Sequence, residues 1–107
     1  MTVYAVQYVY DPRADVRDVV RPEHRRFLAE LFEAGALLAS GPWTGPTEGH
    51  EPGAPEAAAE ADGALLLLRA ESRADAEAVL DRDPFARRGL VARRTLRPWN
   101  PVFGPWS

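Results

Sequence analysis

TVYAVQYVY, residues 2–10, is the stretch that decides the fold. Its valines and tyrosines are typical of a β-strand, and alternation along the strand leaves both faces largely apolar. One face holds Val3, Ala5 and Val9, and the other holds Tyr4, Val6, Tyr8 and Tyr10. GALLLLRA, residues 63–70, is a second strand of the same kind, apolar on both faces from Leu65 to Leu68. A sheet built on these two strands needs cover on both sides.

The segment after the first strand predicts a helix. Pro22 fits the first helical position, because its missing N–H costs nothing there. Gly35 supplies a left-handed cap after Ala34. We therefore expect a loop over 11–20 and a helix over 22–34.

The second half of the chain predicts another helix. Ser72 and Asp75 resemble a capping box with Asp in place of Glu, and the helix should run to about Arg82. Asp83-Pro84 then breaks it. The other predicted elements are strands over 36–42 and 90–98, a short turn over 85–88 closed by Gly89, a long connection over 43–62 and a tail over 99–107.

The order of these elements predicts an α+β fold, the ferredoxin-like βαββαβ arrangement, in a single domain over 1–107. Two helices cover only one face of its four-stranded antiparallel sheet. The apolar residues on the open face exceed the patch that a soluble monomer tolerates. The simplest cover is a second copy packed sheet to sheet, so we expect a homodimer.

Composition excludes several classes of protein. The 107 residues carry a formal net charge of −3, which argues against a nucleic-acid partner or an anionic membrane surface. No apolar run approaches the ~20 residues of a membrane span, and the first residues lack the basic start of a signal peptide, so we expect a cytoplasmic protein. There is no cysteine and no Gly-rich phosphate loop. We expect neither a cofactor nor a metal.

The predicted topology brings polar side chains to one end of the sheet. His24 near the start of the first helix meets Asp83 at the end of the second, together with Ser40 and Gly41 at the end of the second strand. Glu33 is the rival acid, but it lies about 13 Å from His24 along the helix. An acid beside a histidine fixes its tautomer and raises its basicity, which makes a general acid/base pair. The positive helix end opposes this by disfavouring imidazolium.

Each of these residues also has a structural interpretation. A lone histidine on an apolar helix face is often a satisfied core residue. Asp83 is a good N-cap for the turn that follows, although its two oxygens allow capping and pairing together. For Ser40, the interpretation as a strand-end hydroxyl is favoured several times over that as a nucleophile, because no nucleophile elbow surrounds it. We interpret His50 as solvated, since the connection around it offers no rigid metal ligands.

Four short motifs in combination resemble the YciI-like (YCII-related) proteins. They are RPEHRRFL at 21–28, LLASGP at 37–42, DPF at 83–85 with GL shortly after, and RPWN at 97–100. The resemblance spans about residues 1–103. It implies a dimeric α/β barrel and a cleft centred on a histidine and an aspartate, here His24 and Asp83. Ser40 and Gly41 match the family's strand end as cleft lining, and Tyr8 ends the first strand near the same rim, where it could line the cleft too.

The resemblance and the residues together lead to three hypotheses on function. One relative removes chloride from a chlorinated hydroxyhydroquinone, and muconolactone isomerases have a similar fold. The first hypothesis is therefore a cofactor-free lyase or isomerase in which His24 is the general acid or base and Asp83 orients it, acting on a small cyclic or aromatic compound. The second is a non-catalytic dimeric module that binds a small molecule in the same cleft. A third is a structural or partner-binding role for 43–62, which is longer than in the family and could narrow the cleft.

Overall fold

The two strands that are apolar on both faces form the centre of the sheet. The computed structural model describes residues 1–49 and 60–105. In chain order its elements are β1 (Thr2–Tyr10), α1 (Ala14–Glu33), β2 (Leu37–Pro42), β3 (Gly63–Ala70), α2 (Arg73–Leu80), α3 (Pro84–Arg87) and β4 (Val91–Trp99). The strand order is β2-β3-β1-β4. The predicted α+β, ferredoxin-like fold is confirmed.

Every strand pair in the sheet is antiparallel, as the predicted topology requires. In β1, Val6 lies between Leu66 of β3 and Leu96 of β4. In β2, Leu37 lies opposite Leu68, and a bulge follows before Ala39. These registers put the even-numbered residues of β1 and β3 on one face of the sheet.

That face, which we call the covered face, is packed against the helices. Val6, Ala76 and Leu80 have no exposed surface, and Phe85 is 1% exposed. Val20 of α1 belongs to the same core. At about 25 cal/mol per Å² of apolar area, this burial is the main stabilising term of the fold.

Helix α1 begins much earlier than the sequence predicted. It starts at Ala14, so Pro22 lies inside it and the expected loop over 11–20 is wrong. Arg17 and Val20 of the added turns are buried, and their packing offsets the hydrogen bond that the proline cannot donate. The expected effect of the helix N-terminus on His24 is wrong for the same reason. His24 is the eleventh residue of α1, about 15 Å from its start, whereas the dipole acts over the first turn.

The other helix ends agree with the sequence. The Ser72 side chain accepts a hydrogen bond from the Asp75 backbone N–H at 3.1 Å. Gly35 and Gly89 follow α1 and α3 with φ of 81° and 68°, a backbone conformation that glycine adopts without steric cost. Ser72 therefore starts α2, and the two glycines end α1 and α3 where the chain turns toward the next strand.

The other face of the sheet, which we call the open face, carries Val3, Ala5 and Val9 of β1 and Leu65 and Leu67 of β3. The exposed fraction of Val9 is 37%, while Val3 and Leu67 are buried. Trp99, which pairs with Val3, is 42% exposed at the edge of this face. The open face is thus partly apolar and partly accessible to solvent.

The long connection is described at its two ends. Residues 43–49 are exposed, and the Thr47 hydroxyl donates to Glu60 at 2.6 Å, which ties the two ends together. The middle of the connection, including His50, lies outside the described residues, and so do the last two residues of the predicted tail. Over 1–49 and 60–105, no helix is both long and apolar enough to cross a bilayer.

Candidate active site

His24 of α1 and Asp83, between α2 and α3, meet under the covered face of the sheet. His24 Nδ1 lies 2.7 Å from Asp83 Oδ1, although 59 residues separate the two in the chain. The Asp83 side chain has no exposed surface, and the His24 side chain is 10% exposed. The convergence that the topology predicted is therefore present in the geometry, with His24 eight residues, or about two helical turns, further into α1 than expected.

Asp83 is held by donors from three parts of the chain. Its Oδ1 accepts from the His24 ring and, at 3.0 Å, from the Phe85 backbone N–H. Its Oδ2 accepts from the Tyr8 hydroxyl at 3.0 Å. A buried carboxylate is tolerated only when it is paired and hydrogen-bonded, and this one is. Capping α3 and pairing with His24 are done by the same oxygen, which leaves the second oxygen to Tyr8.

This pattern indicates which tautomer a neutral His24 imidazole adopts. An ionised carboxylate only accepts hydrogen bonds, so the proton of neutral His24 lies on Nδ1. Nε2 then carries a lone pair and can accept a proton. The ring also stacks on Phe85, with ring centroids 3.8 Å apart and an interplanar angle of 6°, which fixes its plane. The arrangement can work chemically as a general base whose conjugate acid faces a buried carboxylate.

Two tyrosines next to the pair are kept neutral by burial. Burial raises the pKa of Tyr8 well above its usual range, and the neighbouring Asp83 charge raises it further. Burial and the Asp83 charge also raise the pKa of Tyr10 to about 12, against an opposing effect of Arg17. The Tyr8 hydroxyl therefore keeps its proton and remains a donor to Asp83.

Arg17 belongs to this region, and the sequence analysis missed it. It is 4% exposed, and its guanidinium carbon lies 4.8 Å from the centroid of the Tyr10 ring. Its Nη2 forms a 2.9 Å ion pair with Asp62, at the end of the long connection. Arg17 precedes His24 by two helical turns, which puts both on one helix face. The error in the start of α1 hid this signal.

Phe85 is a second residue that the sequence placed only in a short turn. It stacks on His24, and its ring packs edge-on against Tyr10 at 5.5 Å. The available signal was its place directly after Asp83-Pro84. Because Phe85 lies in the first turn of α3, its side chain is close to any group that the N-cap residue Asp83 binds.

The structure does not bring all the predicted site residues together. Tyr8 is 1% exposed and reaches Asp83 through its hydroxyl. Ser40 and Gly41 are exposed on β2, an edge strand that β3 separates from β1. Two strand spacings put them about 10 Å away from the strand of Tyr8. Their role in lining a cleft stays a prediction. Within the described ranges, no three side chains of the metal-binding types lie close enough to hold an ion.

The chain is similar in sequence to one known protein family. The sequence profile of the YCII-related domain matches residues 1–100. Two relatives, both called protein YciI, come from Escherichia coli O6:H1 and Shigella flexneri. Each is 32% identical over 84 residues, which is 78% of this chain and 81% of the relative.

A solved structure has the same fold. The 5-chloro-2-hydroxyhydroquinone dehydrochlorinase of Burkholderia phenoliruptrix AC1100, in complex with 2,5-dihydroxybenzoquinone, matches with a TM-score of 0.70. The match covers 92% of this chain and 93% of that one at 22% identity. At this identity the likeness concerns the fold alone.

Proposed function

This chain belongs to the YCII-related domain family, and we propose that it is a cofactor-free enzyme of the lyase or isomerase kind that acts on a small cyclic or aromatic compound. The observation that carries the proposal is the 2.7 Å hydrogen bond between His24 and the fully buried Asp83. A histidine paired with a buried acid, whose second ring nitrogen has no hydrogen bond to any described residue, is suited to proton transfer.

The proposed step is a proton transfer to His24. Nε2 accepts a proton from a carbon or hydroxyl of the substrate, and the electron pair of that bond forms a new π bond in the substrate. In a lyase reaction a leaving group departs with its own electron pair. In an isomerase reaction the imidazolium returns the proton to another atom. Asp83 stabilises the imidazolium in both cases because it accepts from Nδ1–H throughout.

Two features support an aromatic or quinone-like substrate. Phe85 stacks on His24, and Tyr10 packs edge-on against Phe85, so the proposed base stands in a cluster of aromatic rings. The structural neighbour is described as a dehydrochlorinase of a hydroquinone and holds a dihydroxyquinone. These compounds are therefore the first probes for this chain.

The test uses two probes with the full-length protein. Chloride release from 5-chloro-2-hydroxyhydroquinone is followed in wild type, His24→Gln and Asp83→Asn, and binding of 2,5-dihydroxybenzoquinone is followed by calorimetry. We expect turnover in wild type and a loss of about 100-fold or more in kcat/KM for each variant. Arg26→Gln, an exposed change two positions further along α1, is the matched control and should keep full activity.

The outcomes separate the two hypotheses. Binding of the quinone without turnover, with the same affinity in His24→Gln, would favour the non-catalytic binding module. Turnover that survives His24→Gln would contradict the role of His24. If folded wild-type protein neither binds nor converts the probes, the proposed substrate class is wrong.

We also propose that the protein is a homodimer joined through the open face. Val3, Ala5, Leu65 and Leu67 put an apolar centre on that side of the sheet, and Trp99 adds an exposed aromatic ring at its edge. Sheet-to-sheet packing would remove this surface from water. The His24–Asp83 pair lies under the covered face, so dimerisation and catalysis use opposite sides of the sheet.

A further inference from the structure

We propose that Tyr8 is a positioning residue, whose hydroxyl holds the Asp83 carboxylate in place and moderates how strongly it attracts the imidazolium of His24. This inference rests on the proposed role of His24 as an acid/base group. It assigns Tyr8 a role through Asp83, in place of direct contact with a ligand in the cleft.

The contacts give each carboxylate oxygen a different task. Oδ1 accepts from His24 and from the Phe85 backbone N–H, so this oxygen is anchored to α1 and α3. Oδ2 accepts from Tyr8, on β1. Among the described side chains, Tyr8 is the one that donates to this oxygen. Without its hydroxyl, a fully buried oxygen would lose its partner and the carboxylate could rotate about its last torsion.

The hydroxyl also changes the electrostatics of the pair. A hydrogen bond to a carboxylate stabilises the ionised form and draws part of its charge toward the donor. Less charge then remains to stabilise protonated His24. Removing the hydroxyl should therefore make the His24–Asp83 pair bind its proton more tightly.

Other charged groups surround the pair without donating directly to Asp83. Arg94 of β4 lies opposite Tyr8 in the sheet and forms a 2.9 Å ion pair with Asp81.

Arg17 and Arg21 of α1 lie near Tyr10 and lower its pKa against the effect of burial. Arg17 pairs with Asp62, and Arg21 pairs with Asp18. Each of these cations has its own carboxylate partner, which leaves the direct contact with Asp83 Oδ2 to Tyr8.

The experiment measures the protonation of His24 by nitrogen-15 NMR between pH 4 and 10. It is run on wild type and on Tyr8→Phe, both in a His50→Gln background, so that a single imidazole is observed. The matched control is Tyr4→Phe, which removes a hydroxyl from another buried tyrosine on the same face of β1. We expect Tyr8→Phe to raise the titration midpoint of His24 by about 0.5–1 pH unit, and Tyr4→Phe to leave it unchanged.

A second variant tests the direction of the shift in the His24 titration midpoint without removing the hydroxyl. Site-specific 3-fluorotyrosine at position 8 makes the phenol a stronger donor, so the His24 midpoint should fall. This variant keeps the test valid if Tyr8→Phe folds poorly. The tautomer is read in the same spectra, and Tyr8→Phe should mix the Nδ1–H form with the Nε2–H form.

Two results would overturn the inference. A His24 midpoint and tautomer that do not respond to either substitution at position 8 would leave Tyr8 with a packing role only. Equal shifts in Tyr8→Phe and Tyr4→Phe would show a general effect of lost hydroxyls. Neither readout needs a substrate, so failure of the proposed enzyme activity would not be mistaken for failure of this inference.

Discussion

The covered and open faces of the sheet bury their residues in different ways. On the covered face, Val6 and Tyr8 are sealed by the helices of the same chain, and even a carboxylate, Asp83, is fully buried there. On the open face, Val9 and Trp99 keep more than a third of their surface in contact with solvent. The helices of the same chain cover one face, whereas the other face stays partly exposed to solvent.

This difference shows where each face can carry function. A buried acid needs fixed donors on every side, which only the packed face supplies. The open face has apolar side chains but no comparable polar network among the described residues, so it is suited to association with a flat partner. Substitutions that affect the two faces differently test this division.

The largest effect should follow from removing the buried carboxylate. Asp83→Ala leaves His24, Tyr8 and the Phe85 N–H without their acceptor, and we expect it to lower the free energy of unfolding by about 3–5 kcal/mol. Urea unfolding measures this. The control is Asp81→Ala, an exposed acid two residues earlier that pairs with Arg94, where we expect about 0.5 kcal/mol or less. Similar losses in both variants would contradict the buried network.

A smaller effect should come from a methyl group added where two strands come close. At Gly63, a Cβ would lie 2.1 Å from the Tyr8 carbonyl oxygen, and backbone atoms cannot move aside cheaply. We expect Gly63→Ala to cost about 3 kcal/mol in urea unfolding. At Gly41, on the neighbouring strand, a Cβ meets nothing within 4 Å, so Gly41→Ala should be nearly neutral. Tolerance of both changes would mean that β1 and β3 are less closely packed than described.

The open face should control association. Leu65→Arg puts a charge at its centre, and we expect the dimer dissociation constant to rise at least about 10-fold while the monomer stays folded. Sedimentation velocity over a range of concentrations measures it. Val19→Arg makes the same kind of change at an exposed residue of α1 and should have no effect. A wild-type protein that is monomeric at high concentration would contradict the proposed dimer.

The smallest effect should be a change in alkaline stability. Because burial raises the pKa of Tyr10 from 10.0 to about 12, the folded chain keeps a proton that the unfolded chain releases. The stability from this group is complete below pH 10 and is lost as the pH rises toward 12. We expect the free energy of unfolding of Tyr10→Phe to fall less steeply with pH than that of wild type between pH 10 and 11.5. Parallel curves would contradict a buried, neutral phenol at this position.

Much of the sheet could be predicted because its signals are local. The bounds of β1 and β3 follow from runs of β-branched, aromatic and aliphatic residues, and the start of α2 follows from Ser72 and Asp75. The meeting of His24 and Asp83 was predicted from the order and direction of the elements, although His24 is the eleventh residue of α1 and does not lie at its end. Neither required knowledge of side-chain packing.

The start of α1 could not be predicted in the same way. Pro22 is a strong local signal for a helix start, and the turns before it are held by the burial of Arg17 and Val20. Burial depends on residues distant in sequence, so tertiary packing outweighed the local preference of the proline. With that start misplaced, the shared helix face of Arg17 and His24 went unnoticed.

The sequence by itself determined the order of strands and helices, the apolar character of both faces of the central strands, and the end of the sheet at which His24 and Asp83 meet. Only the tertiary structure decided which atoms surround the carboxylate: the Tyr8 hydroxyl on one oxygen, and the His24 ring and Phe85 N–H on the other. The physical reason is the separation along the chain over which each kind of interaction acts. Periodicity and caps act over a few neighbouring residues, whereas a hydrogen bond between β1 and the turn before α3 depends on register and packing across the whole chain.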